Sequence, residues 1–427
     1  MRRDIIGMSQ RERQRYHLLK MVLERKTTLQ DAGRLMEISY RHAKRLKRKL
    51  VSEGARGLVH GNRGRPSPRA LNGALAQRII ALSRGKYANF NDTHFTEKLK
   101  EGEGITVGRD TVRRLRRNNG IAPKRKRRAR KHHQRRARKP QAGMMVLWDG
   151  SPHRWFGEAT APCCLMAAID DATSELLDAF FIPYECSFGY LKLLEHMVKR
   201  YGIPCSIYQD RHGSLQRNDD HWTLEEQLNG EQDPTQVGGC IKSLGITALF
   251  ALTPQAKGRI ERLFGVLQDR LIAEMELRDI KEMDAGNTFL NEHFIAEHNR
   301  RFAIKPEGSQ KAWRRIPRDV DIERVISFRY QAAVGNDNAL RLGGIVIDIP
   351  EGPGRRGYAK AKVEVRQLLD GSWRVYYRDT LIAQTDPTPL IEPIRAKPRR
   401  RSRARAASEE RWVYMSSAVE RGHIYKA

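Results

Sequence analysis

Two apolar segments of this chain each end in an aspartate. Asp149 follows the run 144–148, and Asp210 follows the run 205–209. Further along, Glu261 lies near the start of a segment whose apolar residues recur at helical spacing. Two strands and a helix that carry acids in this way indicate an α/β arrangement, because the three carboxylates can then meet at one edge of a sheet.

Carboxylates brought this close repel one another unless a divalent cation lies between them. Their hard oxygen atoms select Mg²⁺ or Mn²⁺. The chain carries 80 Lys and Arg against 50 Asp and Glu, a formal charge of +30, which indicates a polyanionic partner. Together these features predict a metal site that acts on nucleic-acid phosphodiesters.

Length and composition set further limits on the chain. Its 427 residues are expected to form about three domains. No apolar run approaches the roughly 18 residues that span a bilayer, and the first residues lack the apolar stretch of a signal peptide. We therefore expect a cytoplasmic protein, associated with DNA and not with a membrane. The five cysteines lack the spacing of a zinc site, so no zinc is assigned.

Residues 1–60 are predicted to form a helix-turn-helix DNA-binding domain. Helices over 11–24 and 28–36 precede a basic helix over 40–51, which Ser39 caps. The alternative is a small helical bundle with a solvated basic face. The candidate DNA-contact residues of the basic helix are Arg41, Lys44 and Arg45.

Residues 61–69 contain the sequence Arg-Gly-Arg-Pro and cannot pack a core. Such a slim segment can place Arg63 and Arg65 in a narrow DNA minor groove. It can equally be a plain linker, and both interpretations are kept.

Residues 70–122 repeat the helical pattern and predict a second helix-turn-helix domain. Helices over 75–82 and 91–100 are followed by a third helix, which Thr106 is expected to cap. Residues 123–142 then form a basic linker that can lie along DNA phosphates. The outward-facing, DNA-contacting arginines expected on the third helix are Arg109, Arg113, Arg114 and Arg116.

A catalytic core is predicted over 143–310, with elements in the order βββαβαβα and a mixed sheet. Within it, the polar stretch 211–235 has the composition of an insertion. A small β-barrel-like domain is expected over 335–390, and a basic, disordered tail over 391–427. The predicted core strands cover 144–149, 164–170, 177–182, 205–209 and 246–251.

The segments Leu147–Gly150, Tyr208–Gly213 and Ala256–Arg262, with two helix-turn-helix patterns before them and a β-rich segment behind, resemble DDE-type insertion-sequence transposases with retroviral-integrase-like cores. The resemblance covers about residues 10–385. It implies an RNase H-like core and two Mg²⁺ (or Mn²⁺) ions held by Asp149, Asp210 and Glu261. It also implies cleavage at the terminal inverted repeats of an element, transfer of the 3′ ends into target DNA, and at least a dimer on DNA.

Residues around the acids have expected roles as well. Lys257, Arg259 and Arg262 can neutralise DNA phosphates. His212 can contact DNA or can serve as a turn residue. Asp170 and Asp171 end the second strand and are interpreted as a turn, with Asp170 able to support the site from behind.

Two other functions compete with a transposase. The first is a catalytically silent, transposase-derived regulator that only binds DNA in a sequence-specific manner. The three intact acids argue against it, since a silent core need not keep them. The second is another RNase H-like nuclease such as a junction resolvase, which needs neither the paired helical domains nor a C-terminal β domain.

Overall fold

The computed structural model describes residues 6–64, 71–125, 136–217, 222–251, 257–388 and 393–394. Arg65, residues 126–135 of the basic linker and nearly all of the tail 391–427 lie outside these residues. The chain divides into two compact units, Met1–Ile79 and Ile80–Ala427. No helix in the described ranges is long and apolar enough to cross a lipid bilayer.

Three helices make up most of the first unit: α1 (Gln10–Leu23), α2 (Leu29–Leu35) and α3 (Tyr40–Glu53). Hydroxyl side chains cap all three, which satisfies amide groups that a helix start leaves unpaired. A 3₁₀ turn over Gly54–Leu58 follows α3. The buried core of the unit consists of Leu19, Leu46, Leu50 and Leu58.

Three more helices follow: α4 (Gly73–Arg84), α5 (Asp92–Gly102) and α6 (Arg109–Asn118). The carboxamide oxygen of Asn91 caps α5, accepting from the backbone N–H groups of the second and third helical residues. The predicted Thr106 cap is wrong, because α6 begins after Gly108 and has no side-chain cap.

The second unit contains a five-stranded mixed sheet in the order β3-β2-β1-β4-β5. Its first three strands are antiparallel neighbours, whereas β4 runs parallel to both β1 and β5. The predicted βββαβαβα order is confirmed, with one short extra helix inside the 211–235 stretch. The strands are β1 (Val146–His153), β2 (Cys163–Asp170), β3 (Leu176–Ile182), β4 (Ser206–Gln209) and β5 (Thr247–Phe250).

Helices cover both faces of this sheet. On one face α7 (Ser187–Tyr201) and α9 (Gln236–Ser243) pack against alternate residues of the strands. The extra helix of the 211–235 stretch is α8 (Leu224–Asn229). On the other face lies α10 (Gly258–Leu277). The apolar stripe predicted for α10 is confirmed, since all its residues are buried: Ile260, Leu263, Phe264, Leu267 and Leu271.

A π-helical turn over Leu290–Phe294 interrupts the helical residues that follow α10. This turn separates α11 (Met283–Phe289) from α12 (Ile295–Phe302). A short helix, α13 (Ile322–Val325), leads to the last part of the described chain.

The C-terminal strands form a four-stranded antiparallel sheet, β11-β10-β9-β6, and a separate two-stranded β7-β8 hairpin. The first of these strands begins at Phe328 and was not predicted. That these strands form a barrel-like domain stays a prediction. The strands are β6 (Phe328–Ala333), β7 (Ala339–Leu342), β8 (Ile345–Asp348), β9 (Lys362–Gln367), β10 (Trp373–Tyr377) and β11 (Thr380–Gln384).

Candidate functional site

Strand register brings Asp149 and Asp210 to the same level of the sheet. Strands β1 and β4 are parallel, and Leu147 pairs with Tyr208. Two residues further on, the positions of Asp149 and Asp210 are therefore neighbours, and the period of two directs them to the same face as that pair.

The residues that directly precede the two aspartates, Trp148 and Gln209, point to the opposite face of the sheet, as the alternation of side chains along a strand requires. There, the indole Nε1 of Trp148 donates to Oε1 of Gln209 at 2.9 Å, and both side chains are buried. This buried hydrogen bond joins β1 to the end of β4 directly behind the two acids.

Lys257 lies between the two aspartates. Its ammonium Nζ is 2.8 Å from Oδ2 of Asp149 and 3.3 Å from Oδ2 of Asp210, and the residue is only 6% exposed. Lys257 directly precedes α10 as its N-cap residue. From the sequence, Lys257 was predicted to neutralise a DNA phosphate, whereas in the structure its ammonium contacts both carboxylates. The two acids are thus arranged to share one cation.

Electrostatics at the site are dominated by the burial of Asp149. The pKa of this carboxyl is raised to about 6, chiefly by burial; Lys257 opposes the rise, and the charges of Asp210 and Glu185 add to it. A buried acid surrounded by other acids is a site where a cation is strongly favoured.

Glu261 lies in the first turn of α10, four residues after Lys257, and its side chain is exposed. Residues four apart lie on the same side of a helix, about 6 Å along its axis. In the described part of the chain, His, Cys, Asp and Glu side chains form no group of three that could hold a metal ion. The structure therefore unites the two aspartates, and the participation of Glu261 stays a prediction.

Glu185 is a further acid at the site that the sequence did not reveal. Its Oε1 accepts from the hydroxyl of Tyr190 at 2.5 Å and lies 3.7 Å from Nδ1 of His212. It also packs against Gly150, where an added Cβ would come within 2.7 Å of the carboxylate. In the sequence, Glu185 is recognisable only as an acid three residues beyond the third strand. The order of the strands in the sheet is needed to show that β3 ends near the edge where the two aspartates lie.

Asp210 is oriented by the turn that follows it. Its Oδ1 accepts from the backbone N–H of His212 at 2.9 Å, which leaves Oδ2 directed at Lys257. This contact supports the turn-residue interpretation of His212. The imidazole itself is partly exposed beside Glu185.

Asp170 and Asp171 form the predicted turn, and both are buried. Asp170 accepts from the backbone N–H groups of Gly143, Ala172 and Thr173 at 2.8–3.0 Å. Asp171 pairs with the guanidinium groups of Arg136 and Arg259. This corrects the phosphate role predicted for Arg259, which also donates to the carbonyl of Arg136.

Of the basic residues near α10, Arg262 keeps the exposure that a DNA contact needs. On the helices of the N-terminal region, most predicted contact residues are also exposed. These are Arg41, Lys44 and Arg45 on α3 and Arg109, Arg113 and Arg114 on α6.

Two arginines depart from their predicted roles. Arg116 faces inward and is 3% exposed, with its Nη1 donating to Oδ1 of Asp92 at 2.8 Å and its guanidinium over the Phe95 ring. Arg63 pairs with the buried carboxylate of Glu12, which ties the segment after the third helix to the first. Both side chains are therefore engaged within the protein.

Comparisons with known proteins agree with the resemblance. No protein-family model matches the chain. A "Putative transposase y4bF" of Sinorhizobium fredii (strain NBRC 101917 / NGR234) is 35% identical over 375 residues, covering 88% of this chain and 80% of that protein. The transposase for insertion sequence IS1202 of Streptococcus pneumoniae is 29% identical over 400 residues, covering 84% and 83%.

Two solved structures show weak overall likeness. One is a chain of the simian T-cell lymphotropic virus intasome in complex with PP2A regulatory subunit B56 gamma, at 12% identity and a TM-score of 0.29, covering 73% of this chain and all of that one. The other is the HTLV-2 integrase catalytic core domain in complex with magnesium, at 13% identity and a TM-score of 0.24, covering 36% and 90%. At these TM-scores neither likeness supports an argument about this chain.

Proposed function

This chain belongs to the transposase family, and from that premise we propose that it cleaves DNA at the terminal inverted repeats of an insertion sequence and transfers the 3′ ends into target DNA. The observation that carries the proposal is the pair of aspartate oxygens directed at one cation, the ammonium of Lys257. Such a pair, beside a basic surface, suits a reaction at a phosphodiester.

The donor set fits Mg²⁺ or Mn²⁺. Asp149 and Asp210 present hard oxygen atoms that already converge on a positive charge, and Glu261 is one helical turn from that charge. These three residues are proposed to hold two ions. When bound, the ions would lower the pKa of a water and stabilise a leaving oxygen.

The chemistry consists of two displacements at phosphorus. In the first, a water oxygen attacks the scissile phosphate, the bond to the 3′ oxygen breaks, and that oxygen takes up a proton. In the second, the new 3′-hydroxyl attacks a target phosphate, and the target strand's own 3′ oxygen leaves. Asp210, held by the His212 turn, positions the reacting groups, and Arg262 neutralises phosphate charge.

Recognition of the inverted repeats is assigned to the two helical domains, 1–60 and 70–122, as tandem helix-turn-helix units. The exposed basic residues of α3 and α6 support this assignment. Catalysis is assigned to 143–310, and 335–390 is proposed to add backbone or subunit contacts. Because two DNA ends are joined in one reaction, we expect at least a dimer on DNA.

The decisive experiment is cleavage of a labelled duplex carrying the terminal repeat, with Mg²⁺ or with EDTA. The wild type should produce metal-dependent 3′-hydroxyl ends, whereas Glu261→Gln should bind the duplex without cutting it. Glu276→Gln, an exposed change on the same helix, is the matched control and should cut normally.

The competing functions predict other outcomes. If the wild type binds the duplex but does not cut it with any of the divalent metals tested, the silent regulator is the better description. The relatives, named as transposases, do not favour that description. If only nicks form in a plasmid assay and no strand-transfer products, a resolvase-like nuclease is the better description.

A further inference from the structure

The position of Lys257 has a consequence for metal binding. Its ammonium lies 2.8 and 3.3 Å from the same two oxygens, Oδ2 of Asp149 and Oδ2 of Asp210, that would hold a divalent cation. A Mg²⁺ ion contacts its oxygen ligands at about 2.0–2.1 Å. The ammonium and an ion that bridges these oxygens would therefore overlap, and their positive charges would repel. The two cations exclude each other.

Lys257 differs from its neighbour Arg259 in how it is held. Arg259 is fixed by the buried carboxylate of Asp171 and by the carbonyl of Arg136. The ammonium of Lys257 is held by the two aspartates, on a flexible four-carbon stem at the very start of α10. At the adjacent Gly258 an added Cβ would meet no atom of the described residues within 4 Å.

We propose that Lys257 is an exchangeable internal cation, which leaves the two aspartates for a DNA phosphate and thereby opens them to a divalent metal ion. DNA binding then raises the affinity for metal, and metal binding raises the affinity for DNA by the same factor. This inference rests on the proposed function, since it takes Asp149 and Asp210 as metal ligands.

Lysine suits this role on physical grounds. A compact, strongly hydrated ammonium can exchange a carboxylate for a phosphate with little reorganisation, because both are anionic oxygen acceptors. Arg262, exposed one turn along the helix, would help to bring a phosphate to this end of α10. The site would then bind metal tightly only when DNA is present, which limits metal-dependent chemistry to the protein–DNA complex.

The test measures the affinity of the full chain for Mn²⁺ from the electron paramagnetic resonance signal of free Mn²⁺. Each measurement is made without DNA and with a terminal-repeat duplex that already ends in a 3′-hydroxyl. For the wild type, the duplex should strengthen Mn²⁺ binding at least tenfold. For Lys257→Met, Mn²⁺ should already bind tightly without DNA, and the duplex should change the affinity less than threefold.

Controls separate this inference from the proposed function. Arg262→Met should weaken DNA binding but retain the coupling once the duplex is saturating. An unchanged wild-type Mn²⁺ affinity on adding DNA, or weaker Mn²⁺ binding by Lys257→Met, would overturn the exchange. If Asp149→Asn binds Mn²⁺ as the wild type does, the proposed metal site itself is wrong.

The coupling in the wild type tests the exchange without any variant. Lys257→Gln provides a second neutral variant with a polar side chain, and thermal unfolding followed by circular dichroism in EDTA shows whether each variant is folded.

Discussion

His94 on α5 and Glu274 on α10 share a buried hydrogen bond of 2.7 Å between the imidazole Nε2 and the carboxylate. Glu274 also accepts from Lys98 at 2.6 Å and from Arg278 at 2.5 Å. The helix that carries the proposed catalytic Glu261 is thereby bound to a helix of the second predicted DNA-binding domain. We expect this buried cluster to hold α5 and α10 in a fixed relative position.

We predict that Glu274→Gln destabilises the protein by roughly 3 kcal/mol, because it leaves the buried ammonium of Lys98 uncompensated. Urea unfolding followed by tryptophan fluorescence measures this change. Glu276→Gln, on the same helix but exposed, should stay within about 0.5 kcal/mol of the wild type. Equal stability of the two variants would show that the buried cluster contributes little.

The Glu274 carboxylate is also predicted to make the free energy of unfolding fall in acid. Burial alone would raise the pKa of Glu274, but the hydrogen bonds from His94, Lys98 and Arg278 outweigh it and lower the pKa to about 2 from the ordinary 4.5. A lowered pKa in the folded state stabilises the protein fully above pH 4.5, and this contribution is lost as the pH falls toward 2. Urea unfolding at pH 7, 4.5 and 3.5 should show a smaller loss for Glu274→Gln than for the wild type.

Metal binding is predicted to weaken in mild acid. Asp149 must be ionised to bind a cation, and its pKa is raised to about 6, chiefly by burial. Below pH 6 the protonated fraction grows, so the Mn²⁺ affinity should fall by up to tenfold for each further unit, whereas it should change little between pH 7 and pH 8. Titrations of the full chain without DNA at pH 8, 7, 6 and 5 measure this. A flat profile down to pH 5 would contradict the raised pKa.

Gly150→Ala is predicted to damage the site. The added Cβ would lie 2.7 Å from the Glu185 carboxylate and 2.9 Å from Sγ of Cys164, so strand β1 or the acid must shift. We expect about 1–3 kcal/mol of destabilisation and at least a tenfold loss of cleavage. Gly213→Ala, where no atom of the residues that the structure describes lies within 4 Å of the added atom, is the matched control and should retain both stability and cleavage.

Arg113 and Arg116 on α6 should behave oppositely when each is changed to alanine. Arg113 is exposed, so its loss should weaken duplex binding and reduce the slope of log affinity against log salt by about 1, with the melting temperature unchanged. Arg116 is buried on Asp92, so its loss should lower the melting temperature. Fluorescence anisotropy at several salt concentrations and thermal unfolding separate the two effects. A lower melting temperature for Arg113→Ala would contradict the exposed role.

Several features of the fold could be predicted because they depend on local patterns. Apolar runs of strand length gave the positions of the five core strands, and the helical spacing of Ile260 to Leu271 gave the buried face of α10. The parallel pairing of β1 and β4 makes Asp149 and Asp210 neighbours, although Asp149 lies within β1, which continues to His153, and not at the strand end that the sequence predicted.

The amino-acid sequence by itself thus determined where the core strands and the buried face of α10 lie, and it pointed to the two aspartates, because side-chain periodicity is a property of each segment. The tertiary structure alone decided the partners of the charged residues. Lys257 and Arg116 read as surface cations in sequence, yet each is buried against a carboxylate. Ion pairs depend on which elements pack together across long sequence separations, and periodicity within one element carries no information about its partners.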